Sequence, residues 1–157
     1  MTPAVRAEPA LPLRHVLTVP TLPAAVRVVR ETAEMTFAEW GIGRAHPVMG
    51  PALLILSELV TNSVRHAAPR SPSLTVTFAA GATALGFAVH DRHPDHPGVP
   101  DHPGVPDHPG VPASAASGSG GGGLSVIAEV MAGSGGTGAV RRDADGEGKS
   151  VWITLPR

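Results

Sequence analysis

The stretch that decides the fold is ILSELVTNSVRHA, residues 55–67. With Leu53 and Leu54 before it, it reads as an apolar helix carrying one polar stripe. Glu58 and Asn62 are four residues apart, and Arg65 and His66 follow three and four beyond Asn62. Residues at these spacings stack on one helix face. Leu56, Leu59, Val60 and Val64 supply apolar surface on more than one side, so the helix is largely buried, and a buried charge needs a partner. A carboxylate, an amide oxygen and a guanidinium in one row suit a metal–phosphate ligand: a base, a Mg²⁺ contact and an anion contact. The same row also fits a satisfied polar network between helices.

Working outward, the helix spans about Val48 to Ala67, entered through His46-Pro47 with Pro51 in its first turn, and Ala68-Pro69-Arg70-Ser71-Pro72 breaks it. Before it, Leu13 to Val19 reads as a strand. A second helix follows that strand, capped by Thr21, with Pro23 in its first turn and Gly41-Ile42-Gly43 as its stop. Ala25, Val28, Val29, Ala33 and Phe37 form its apolar stripe. After the motif helix, Leu74–Ala79 and Leu85–Asp91 read as a hairpin around Gly81. A short apolar helix, Leu124 to Met131, and two strands, Gly138–Arg142 and Ser150–Leu155, complete the pattern. Clustered helices and antiparallel strands predict an α+β two-layer sandwich, with a mixed, mostly antiparallel sheet and helices on one face.

The chain has 157 residues, enough for one domain with a real core. Residues 1–12 are Pro/Ala-rich and read as a disordered N-terminus, leaving 13–157 as the domain. The net charge of −1 leaves no basic footprint for direct nucleic-acid binding. The absence of cysteine excludes disulfide scaffolds and thiolate metal sites. No apolar run approaches a membrane span and no apolar leader opens the chain, which favours the cytoplasm.

Residues 92–123 read as a lid. They contain DHPGVP three times, at 95–112, and then a Ser/Gly tract. His96, His102 and His108 recur in that repeat and could chelate a surface metal, but nothing beside them supplies the outer support of a defined site. Gly118-x-Gly120-x-x-Gly123 imitates a dinucleotide fingerprint with no strand before it. Gly148-Lys149-Ser150 imitates the end of a P-loop with a strand where a helix is required. Both matches are accidental. Asp91, at the tip of an apolar strand, either forms a turn or faces a ligand. The glycines before Leu124 either link or let backbone N–H groups approach an anion at a helix N-terminus.

Together, the order E-x-x-x-N on a helix, Asp at a strand end, a Gly-rich segment opening a helix, and G-K-S-V-W on a last strand resembles the GHKL (histidine kinase-like) ATPase superfamily. Within it, the chain is most similar to the small anti-sigma-factor serine kinases. The resemblance covers roughly residues 13–157 and implies a Bergerat-type ATP-binding fold with ATP and Mg²⁺ as cofactors. It implies Glu58 as general base, Asn62 as the Mg²⁺ ligand and Arg65 near phosphate. His66 would lie against the nucleotide or pack. Asp91 would accept a hydrogen bond from the adenine amino group. Gly121, Gly123 and Leu124 would offer N–H groups to phosphate, and Ser150 would stand near adenine. Asp91 is followed by Arg92-His93-Pro94 where the family usually has D-x-G-x-G, and the lid is expanded by the repeat.

The activity implied is a serine/threonine protein kinase of the anti-sigma-factor type, phosphorylating a small antagonist protein and able to bind a sigma factor, with relatives often homodimeric. The alternative is a non-catalytic ATP-binding switch that acts on a partner by nucleotide occupancy.

Overall fold

A computed structural model describes residues 9–93 and 121–157, with side chains from 126 onward in the second segment. The DHPGVP repeats, their histidines, residues 1–8 and most of the expected lid lie outside the described residues. The elements run β1 (Leu13–Pro20), α1 (Ala25–Glu39), α2 (Met49–His66), β2 (Ser73–Ala80), β3 (Ala84–Asp91), α3 (Gly121–Ser134), β4 (Thr137–Arg142) and β5 (Lys149–Pro156).

The motif helix is α2. Its entry is fixed by a side chain two residues ahead of the N-cap: the Val48 N–H donates to His46 Nδ1 at 3.1 Å. Its buried residues, among them Leu53, Ile55, Leu56, Leu59, Val60 and Ser63, spread over more than one side, as expected. The reason is that α2 is the middle helix, packed against α1 and α3 and lying over β3.

The five strands pair in the order β1-β2-β3-β5-β4, and every pairing is antiparallel. Directly opposed residues share a face. The registers therefore put Val76, Phe78, Phe87, Val89, Val151 and Ile153 on one face, and all six are buried in the core. Phe37 of α1 meets Phe78 edge-on, with ring centroids 5.9 Å apart. Each such side chain contributes about 1.5–3 kcal/mol on burial. The opposite face carries threonines, small residues and Trp152, over which the Arg14 and Arg141 guanidiniums lie at 5.5 and 5.6 Å. Among the described residues, no helix is long and apolar enough to cross a membrane.

Three local expectations are corrected. Helix α1 begins at Ala25, and Thr21 does not cap it: the Thr21 N–H donates to the Pro72 carbonyl, holding the loop to β2's entry instead. Val28 is 42 % exposed, because the buried stripe follows Ala25, Val29, Ala33 and Phe37, about 100° away around the helix. Helix α3 begins at Gly121, three residues earlier than expected, so Gly121 and Gly123 lie in its first turn rather than in a preceding loop.

Thr21 is left buried with a hydroxyl that has no hydrogen-bond partner among the described residues. Such a group costs about 1–3 kcal/mol, and the isosteric Thr21→Val removes it. Thr21→Val is expected to raise the midpoint of urea unfolding, with stability higher by about 1 kcal/mol. A lowered midpoint would show that the hydroxyl is satisfied in solution.

Candidate functional site

The site is built where α2 crosses the end of β3. Asp91, the last residue of β3, is 3 % exposed, and Lys149, the first residue of β5, is 5 % exposed. The β3–β5 register sets them directly opposite each other. Lys149 Nζ donates to Asp91 Oδ1 at 2.6 Å and to the His93 carbonyl at 3.0 Å. The His93 N–H also donates to Asp91 Oδ1, at 3.0 Å. Asp91 Oδ2 accepts from the Ser63 hydroxyl at 2.7 Å. One buried carboxylate thus ties β3, β5 and α2 together.

The rest of the α2 stripe divides. Glu58 and Asn62 are half-buried, and among the described residues no hydrogen bond or ion pair engages either side chain. They lie one helical turn apart, offering two hard oxygen donors without competition. Mg²⁺ is held in this way, by one or two protein oxygens with the remaining positions filled by water and phosphate. No group of three or more His, Asp or Glu among the described residues could hold a metal alone. Arg65 and His66 are both exposed, so neither lies in the buried part of the site.

Ser150 follows Lys149 on β5. It opposes His90, on the sheet face away from Asp91, and the position opposing Asp91 belongs to Lys149. Gly121, Gly123 and Leu124 lie in the N-terminal turn of α3, whose backbone N–H groups have no partner within the helix, and α3 packs against α2. Lys149 and Ser63 are the two site residues that the motifs did not single out. The available signal for Lys149 was that it is the one lysine among twelve basic residues.

Beside the buried pair lies an exposed clasp. Arg92 donates to Asp143 at 2.8 Å and to Asp145 at 2.9 Å, and His90 Nε2 lies 2.9 Å from Asp143. These contacts hold the β4–β5 turn against the end of β3. Gly148 completes the fit: a Cβ there would strike Asp143 Oδ2 and come within 2.8 Å of the Asp91 carbonyl. The hydrogen bond from Arg92, and then that from the Glu147 N–H, hold the Asp145 carboxyl below the usual carboxylate range.

With this geometry in place, the comparisons can be stated. The family model for histidine kinase-, DNA gyrase B- and HSP90-like ATPases matches residues 51–157. No curated protein matches the chain. Among solved structures, the RsbU and RsbW domains of a Mycobacterium tuberculosis protein match with a TM-score of 0.59 and 19 % identity, covering 92 % of this chain and 33 % of that one. The histidine kinase domain of a blue-light activated kinase from Erythrobacter litoralis matches at 0.46 and 22 %, covering 88 % and 61 %. The mycobacterial sensor histidine kinase MprB matches at 0.46 and 22 %, covering 69 % and 73 %. The chain spans about a third of the first of these, and at such identities the likeness is one of fold.

Two measurements check the site. Ser63→Ala leaves Asp91 Oδ2 buried without its donor and is expected to cost about 1–2 kcal/mol in urea unfolding; an unchanged midpoint would show that the Ser63 link contributes nothing. Asp145 has a lowered pKa, so its contact with Arg92 contributes fully above the ordinary carboxylate value of about 4 and is lost as pH falls below it. Amide exchange in residues 144–148 is expected to quicken in Asp145→Asn at neutral pH relative to wild type, with little change in global stability because the pair is exposed and screened. Equal protection in the two proteins would remove the clasp.

Proposed function

Because the chain belongs to the histidine kinase-, DNA gyrase B- and HSP90-like ATPase family, we propose that it binds Mg·ATP between α2, β3 and α3 and transfers the γ-phosphoryl group to a serine hydroxyl of a small partner protein. The observation that carries this reading is the pair Glu58 and Asn62: half-buried, one turn apart on α2, and without a hydrogen-bond partner among the described residues. No other described side chain occupies either group, so both stay available to a ligand.

The residues fit the ligand at both ends. Asp91 has two carboxylate oxygens and about four acceptor positions, of which three are used. The remaining one, on Oδ2, accepts the adenine amino group. Asn62 holds Mg²⁺, which supplies charge neutralisation for the phosphates. The first turn of α3 offers its backbone N–H groups to phosphate oxygens.

Phosphoryl transfer asks the protein chiefly for positioning and charge stabilisation. Glu58 takes the proton from the attacking hydroxyl as the new O–P bond forms and the bond to the β-phosphate oxygen breaks, with ADP leaving. Half-burial keeps this carboxylate accessible to a protein substrate while limiting water. The partner is of the anti-sigma-antagonist type, and a sigma factor is the second partner the resemblance implies.

The test combines calorimetric titration with Mg·ATP and transfer from labelled ATP to a candidate antagonist. Glu58→Gln is expected to retain Mg·ATP affinity within about threefold and to lose transfer by roughly 10²-fold or more. Asn62→Ala is expected to weaken Mg·ATP far more than metal-free ATP. Full transfer by Glu58→Gln would overturn the catalytic assignment. Saturable binding without transfer to any antagonist would leave a nucleotide-occupancy switch.

A further inference from the structure

The apolar side chains left on the surface gather at one edge of the molecule. Six large ones are exposed among the described residues, and five of them, Leu13, Val16, Leu22, Val28 and Met35, belong to β1, α1 and the turn between them. β1 is an edge strand: β2 pairs with one side of it, and no described strand pairs with the other. Its outer row of backbone N–H and C=O groups is therefore open to a further strand. Proteins usually guard such an edge with lysine, proline, a bulge or a short strand. β1 has eight residues in an unbroken one-to-one ladder with β2, no lysine, and its one proline at the last position. The opposite edge, β4, is shorter and ends in two exposed arginines. Above β1, helix α1 turns Val28 and Met35 the same way. Both lie about 140–160° around the helix from Arg30, whose guanidinium donates to Ser57 Oγ of α2 at 3.1 Å. They therefore face away from α2 and out over the β1 edge.

We propose that this edge is the contact surface for a second copy of the chain, which pairs antiparallel, β1 on β1, across a two-fold axis. An axis through Val16 sets Val16 against its copy, Arg14 against Thr18, His15 against Leu17 and Leu13 against Val19, with no like charges opposed. A centre at His15 would oppose two imidazoles, and one at Leu17 would bring Pro20, which has no N–H, opposite Arg14. The helical layer fits the same axis. α1 packs on both β1 and β2, so it stands about one strand spacing, ~4.8 Å, from the line midway between the two β1 strands. The two α1 helices are then about 10 Å apart, at the separation of packed helices. Val28 and Met35 of each copy fill that seam. One register thus extends the sheet and joins the helices, which is why a second copy suits this edge better than a lone strand. The joined edge is eight residues long. At two layers of about 10 Å depth it covers on the order of 1,000 Å² in total, the lower end of specific interfaces. The candidate site, on α2 and the end of β3, lies outside it.

Sedimentation equilibrium of the full chain is expected to show a reversible monomer–dimer equilibrium with a dissociation constant in the micromolar range. Val16 is 59 % exposed and Met35 64 %, so a charge at either is tolerated by the monomer. Val16→Lys sets two ammoniums opposite each other, and Met35→Glu puts two carboxylates into the helix seam. Each is expected to weaken dimerisation at least about tenfold while leaving the circular dichroism melt of the dilute protein unchanged. Thr18→Glu tests the register: it faces Arg14 of the second copy at two symmetric places and is expected to strengthen the dimer, whereas Thr18→Arg weakens it. A chain that stays monomeric up to about 100 μM would overturn the proposal, as would a dimer that Val16→Lys leaves intact. If that variant does not fold, amide exchange in wild type decides: β1 amides are expected to be better protected at high than at low protein concentration. Protection independent of concentration would overturn the edge pairing. None of these readouts uses nucleotide, so their outcome stands apart from that of the Mg·ATP titration.

Discussion

One buried ion pair, Lys149 with Asp91, sets the terms for everything around it. Taking both charges out of water costs several kcal/mol per ion, and only close geometry with further hydrogen bonds offsets that. Here the offset comes from the 2.6 Å contact, the Ser63 hydroxyl, the His93 N–H and the His93 carbonyl. Removing one partner would leave the other buried and uncompensated, a loss of about 3–5 kcal/mol. The pair also fixes register. A one-residue slip of β5 on β3 would carry the ammonium to the opposite sheet face, where His90 lies opposite Ser150.

The same carboxylate sets the rotation of α2. Ser63 faces Asp91, so Asn62 stands about 100° around the helix and Glu58 about 40° beyond it. That angle places both at the rim between the packed side and the open side, which is why they are half-buried. Arg65 and His66, later on the same helix, fall in its last turn and are exposed. The Arg65 guanidinium there complements the helix C-terminus.

The elements were legible because their patterns are local. The dense apolar run 49–60 and the alternation in 74–89 place α2, β2 and β3 to within a residue or so. Glu58, Asn62 and Asp91 stood out as candidates because their residue types sit at one-turn and strand-end positions. What escaped is nonlocal. Which of Lys149 and Ser150 faces Asp91 depends on the β3–β5 register, a pairing of residues 58 apart in the chain. Thr21 has every local property of a cap, but the contact of its N–H with Pro72, across the fold, takes the backbone out of capping position. The extension of α3 back to Gly121 runs against the low helix propensity of glycine, a preference that tertiary packing commonly overrides.

The two charged clusters obey different physics, and the division matters for a nucleotide site. The Arg92 clasp on Asp143 and Asp145 is exposed, so salt screens it and it holds the β4–β5 turn only loosely. The Lys149–Asp91 pair is buried and keeps its strength. The Asp91 end of the candidate site is thus held by contacts within the protein, an arrangement that lowers the ordering cost of any binding there. Glu58 and Asn62 have no hydrogen-bond partner among the described residues and, being half-buried, stay open to water and to a ligand. A fold that engaged both internally would leave this stretch of α2 with nothing to offer a ligand.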